Sequence, residues 1–61
     1  MDDTMVYLND VLDKIGALDT KQAVHKHLDE LEFLYDAVDP MTRELIDQVI
    51  SRLNEHLQTL T

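Results

Sequence analysis

Three histidines, His25, His27 and His56, are the side chains with the widest chemical range in this sequence. A neutral imidazole is the commonest metal ligand and a ready general base near neutral pH. His25 and Asp29 stand four residues apart, a spacing that places two ligands on one helical face within reach of one ion. The pattern goes no further. A zinc-protease helix needs His-Glu-x-x-His and a di-iron bundle needs Glu-x-x-His pairs, and neither occurs. His25 and His27 are about 200° apart around a helix, so they cannot share an ion within one chain. The simplest expectation is surface histidines among acids, with His56 on the boundary of a buried stripe. No metal site and no cofactor are expected.

Nucleophilic chemistry is equally poorly supplied. The sequence has no cysteine, its only serine is Ser51, and its only glycine is Gly16. Ser51 has no nucleophile-elbow context, and one glycine cannot make a phosphate-cradling loop. Thirteen acidic residues make chance carboxylate pairs inevitable, so a pair alone points to nothing. Short helices also leave little room for a ligand-sized pocket. The expected reading is a protein that is not an enzyme.

Two features remain. Asp29, Glu32 and Asp36 fall within about 60° of one another on a helix, and Asp10 with Asp13 lines a comparable edge. Such stripes suit the basic surface of a partner or mimic the phosphates of DNA. They also serve simply as a solvated face that keeps a small protein soluble. Phe33, the only phenylalanine, lies about 180° from the apolar stripe of its own helix, between Lys26, Glu30 and Ala37. It is expected to be covered, either by core or by an interface, because aromatic residues are enriched at binding hot spots. Val6 and Tyr7 sit off their stripe in a similar way, which suggests a first helix with two buried sides.

These residues must be positioned by a chain of 61 amino acids, enough for a single domain spanning 1–61. A domain this small buries only about 60% of the surface its unfolded chain exposes, so its stability is marginal. Without cysteines, disulfides and thiolate metal sites are both excluded, leaving self-association as the means of support. The formal charge is −8, divided as −4 over residues 1–20, −3 over 21–40 and −1 over 41–61. That field opposes direct nucleic-acid binding, which depends on Lys and Arg neutralising phosphates, and favours a basic partner. The acidic N-terminus is unlike a signal peptide, and no apolar run is long enough to cross a membrane. A cytoplasmic protein is expected.

Helical spacing runs throughout. Met1, Met5, Leu8, Leu12 and Ile15 are spaced 4, 3, 4, 3 and predict a first helix over about 4–15. Asp3 or Thr4 would cap its start, and Gly16 would end it as a left-handed C′ residue. Asp19, with Gln22 three positions on and Leu18 stapled to Ala23, predicts the start of a second helix over about 20–38. Its stripe is Val24, Leu28, Leu31, Tyr35 and Val38, widened by Leu34. Asp39-Pro40 closes it and opens a third helix, about 40–60, as N-cap and N1. That helix carries Ile46, Ile50, Leu53, Leu57 and Leu60, with Met41, Leu45 and Val49 on its flank.

The expected fold is all-α: three helices, the last two forming an antiparallel αα-hairpin across a very short link, assembling as a helical-bundle homodimer. In its helix lengths the hairpin resembles those that pair into antiparallel four-helix bundles, a likeness of fold that carries no function. The functional expectation is a small acidic regulatory or adaptor protein of the inhibitor, anti-repressor, DNA-mimic or accessory kind. It would bind a protein partner through Phe33, Asp29, Glu32, Asp36, Asp10 and Asp13. The alternatives are a purely structural dimerisation module and, further off, a metal-binding bundle.

Overall fold

In the computed structural model, which describes residues 3–60, these patterns become three α-helices: α1 (Asp3–Lys14), α2 (Lys21–Ala37) and α3 (Pro40–Thr59). A 3₁₀ turn, Ile15–Ala17, follows α1 directly. There is no strand among the described residues.

The α2–α3 corner forms as its residues require. Asp39 caps α3, its Oδ1 accepting the Thr42 backbone N–H at 2.9 Å, and Pro40 occupies the first helical position. Arg43 then reaches back across the corner. Its Nε donates to the Tyr35 carbonyl at 2.9 Å, satisfying one of the acceptors that a helix end leaves open. Its guanidinium carbon also lies 5.4 Å from the centre of the Tyr35 ring, a cation–π arrangement. At the opposite end, His56 Nε2–H donates to the Leu18 carbonyl at 2.7 Å, tying the end of α3 to the approach to α2. Contacts from the end of α2 to the start of α3, and the reverse, make the pair antiparallel.

The start of α2 differs from the expectation. Thr20, not Asp19, is the N-cap, its Oγ1 accepting the Ala23 N–H at 3.2 Å. With Thr20 at the cap, Gln22 falls one position short of where a capping-box partner must stand. Gly16 is also not a left-handed terminator, because no described residue has positive φ. The chain leaves α1 by tightening into the 3₁₀ turn, closed by the Leu18 N–H on the Ile15 carbonyl at 3.1 Å. Asp3 and Thr4, the two expected caps of α1, both lie inside the helix.

The core is Leu8 and Val11 from α1, Val24 and Leu31 from α2, and Ile46, Val49 and Leu53 from α3. The stripes expected for α2 and α3 are the ones that face inward, with Val49 fully in the core rather than on its flank. In α1 the buried arc is rotated. Val11 is fully buried, whereas Met5 and Leu12 are 40% and 41% exposed. Met1, the first member of the expected stripe, lies outside the described residues. The cause is that α1 rests against both other helices. Tyr7 turns toward α2 while Leu8 and Leu12 border α3, so the helix buries the arc between them. Tyr7 is accordingly half-buried, but Val6 points away from both neighbours and is exposed.

Candidate functional site

Tyr7 organises the seam between α1 and α2. Its hydroxyl donates to Glu30 Oε2 and lies 3.2 Å from His27 Nδ1. Because the hydroxyl proton goes to the carboxylate, His27 serves as donor if Nδ1 carries its hydrogen, forming a short relay His27–Tyr7–Glu30. The two rings are tilted at 44° with centroids 6.4 Å apart. Burial, then the Glu30 hydrogen bond and charge, push the Tyr7 phenol well above its ordinary value of 10.0. Tyr7 is thus held neutral as a hydrogen-bond donor and is not an activated nucleophile. His27, expected as a surface histidine, is half-buried and engaged here.

Above this seam runs an open groove of about 520 Å³. Tyr7, Phe33 and Leu34 supply its apolar surface, and Asp3, Asp29 and Glu30 its acidic rim. It exceeds the volume expected for three short helices because it is a furrow along the surface, not an enclosed cavity. Phe33 is 79% exposed, which overturns the core alternative of the two expected for this ring and leaves the interface alternative. The physical reason lies in α1, which packs mainly on α3 and meets α2 through Tyr7 at the His27–Glu30 edge, so it borders the groove without covering Phe33.

The carboxylates divide into three groups. Asp29 borders the groove, and Glu32 and Asp36, both exposed, flank Phe33 at one and three residues along the same helix. Asp10 is bound in an exposed ion pair with Lys14 at 2.9 Å, an i,i+4 contact worth little by itself. Its charge nonetheless contributes to the shift of Tyr7, so it lies near the same seam. Asp13 is exposed on α1 and lines no part of the groove. Tyr7, Glu30, Leu34, Asp3 and Thr4 are the groove residues that sequence reasoning missed. The signal for Tyr7 was its departure from the α1 stripe, but nothing in the spacing pairs residues 7 and 30.

Among the described residues no three His, Asp or Glu side chains cluster closely enough to hold a metal ion. No helix is long and apolar enough to cross a membrane. No protein-family model matches the chain, and no curated protein or solved structure is significantly similar to it.

Proposed function

We infer that this chain is a small, non-enzymatic regulatory or adaptor protein that docks the basic surface of a protein partner against the Phe33 groove. The observation that supports the reading is Phe33 itself, 79% exposed beside an apolar furrow with a carboxylate rim. An aromatic ring kept in water forgoes the stabilisation its burial would give, and a partner that covers it recovers that term. Asp29, Glu32 and Asp36 along one flank, within a chain of net charge −8, favour a partner whose apolar anchor is ringed by Lys and Arg. The same field speeds encounter with such a partner and disfavours nucleic acid. Tyr7, neutral and fixed by Glu30, supplies a rigid wall to the groove rather than a reactive group.

The test is a salt-resolved capture from the native host with three baits: the native chain, Phe33→Ala and the paired change Asp29→Asn with Glu32→Gln. The expected result is a basic protein retained by the native chain at low salt, released at high salt, and lost with Phe33→Ala. Truncating a hot-spot aromatic costs about 2 kcal/mol or more of binding, roughly thirtyfold in affinity. The paired change should slow association and flatten the salt dependence. Equal retention by the native and Phe33→Ala baits, or no retention by the native chain at low salt, overturns the reading.

A further inference from the structure

A second exposed apolar surface lies away from Phe33, along the seam between α1 and α3. Met5 and Leu12 of α1 and Leu45 of α3 border it at 40%, 41% and 37% exposure, and Met41 projects from one end at 80%. On α3 the outward residues Met41, Leu45, Gln48 and Arg52 are spaced 4, 3, 4, the periodicity of a helix that packs on another helix. No helix among the described residues covers that strip.

The charges on this surface are arranged in opposition. Glu44 stands at the methionine end and Arg52 at the other, four residues to either side of Gln48. Among the described residues neither forms an ion pair, and Lys14–Asp10 is the one salt bridge. A two-fold axis lying across the helices near Gln48 and Asn9 would bring α3 antiparallel to its own copy. That operation sets Glu44 opposite the partner's Arg52 and, by symmetry, Arg52 opposite the partner's Glu44. It also lays the Met5 and Met41 end of one copy over the Leu12 end of the other, where the Arg52 stem adds apolar cover.

We propose that this α1–α3 face is the interface of a two-fold homodimer, closed by reciprocal Glu44–Arg52 pairs around an apolar strip of Met5, Leu12, Met41 and Leu45. The inference is independent of the Phe33 groove, which lies on another face and stays open in such a dimer. A core of seven buried residues gives the monomer limited support, so covering the strip adds burial where the fold has least. Opposite charges here also offset part of the repulsion between two chains of −8 each.

The test is sedimentation equilibrium of the full chain at micromolar concentration, with circular dichroism on every variant to establish that helicity is kept. The native chain, 7.1 kDa as a monomer, is expected to sediment at twice that mass. Arg52→Glu alone sets four carboxylates against one another across the interface, and Glu44→Arg alone sets four guanidinium groups. Each single reversal should weaken self-association by about tenfold or more. Mixing the two single variants in equal amounts should restore the dimer, as a heterodimer, and the double swap E44R/R52E should restore the homodimer. Phe33→Ala should leave the mass unchanged. A native chain that sediments as a monomer overturns the proposal. So do single reversals without effect, a mixture that stays monomeric, or loss of the dimer with Phe33→Ala.

Discussion

Leu31 and Phe33 stand two residues apart on α2, one fully buried and the other 79% exposed, so truncating each to alanine should give opposite results. A folded chain of 61 residues holds roughly 3–9 kcal/mol of stability at the usual value per residue. Removing a fully buried leucine costs about 2–5 kcal/mol, through lost transfer energy and the cavity left behind. For a domain of this size each kcal/mol moves the melting midpoint by about 4–8 °C. Leu31→Ala should therefore lower the midpoint by about 8 °C or more and remove a large fraction of the total stability. Phe33→Ala removes a ring with about a fifth of its surface covered, so the loss should stay below about 1 kcal/mol of the 3–5 kcal/mol typical of a buried phenylalanine. Alanine's better helix propensity, worth roughly half a kcal/mol, offsets part of that. The assay is thermal unfolding followed by far-ultraviolet circular dichroism, at one protein concentration for all samples. A Phe33→Ala midpoint that falls as far as that of Leu31→Ala would refute the assignment of Phe33 to the surface. A Leu31→Ala midpoint within a few degrees of native would refute the three-helix core.

Two pH effects follow from individual side chains. Hydrogen bonds from the Thr42 side chain and backbone hold the Asp39 carboxyl below its ordinary value of 3.8, so its contribution to stability is present above that value and lost as pH falls through the folded value. The native melting midpoint should drop in acid, and Asp39→Asn, which keeps a capping oxygen, should flatten part of that dependence when both are melted between pH 2 and 6. At the alkaline end, burial and Glu30 raise Tyr7 above 10.0, so its contribution is complete below pH 10 and lost as pH rises further. In a Tyr35→Phe background, ultraviolet titration should show Tyr7 still protonated at pH 11 in the folded protein and ionising normally once urea unfolds it.

Most of this fold is legible in the sequence because α2 and α3 are long enough for their periodicity to be unambiguous. Over 17 and 20 residues only one arc of each helix is consistently apolar, and the Asp39-Pro40 step fixes where one ends and the other starts. In α1, with 12 residues, two arcs compete. Met5, Leu8, Leu12 and Ile15 keep helical spacing, and so do Thr4, Tyr7, Leu8, Val11 and Ile15. Spacing cannot choose between sets that share Leu8 and Ile15. The choice is made by tertiary contact: α1 packs on α3 with Val11 fully buried, and the Tyr7 hydroxyl meets Glu30 on the other side. The cap of α2 was displaced by a similar local competition, since Asp19 and Thr20 both carry a capping oxygen and differ only in where the 3₁₀ turn delivers the chain.

That rotation also explains why the chain has two separate apolar surfaces. Had α1 buried its Met5–Leu12 arc, its edge facing α3 would be closed and Tyr7 would stand in solvent without Glu30. With Tyr7 and Val11 inside, Met5 and Leu12 move to the rim and join Leu45 and Met41, while the α2 side of Tyr7 becomes a wall of the Phe33 groove. One packing choice in a twelve-residue helix therefore generates both the furrow proposed for a basic partner and the strip proposed for a second copy. Replacing Tyr7 disturbs the two together, whereas Phe33→Ala and the Glu44–Arg52 reversals each address one surface alone.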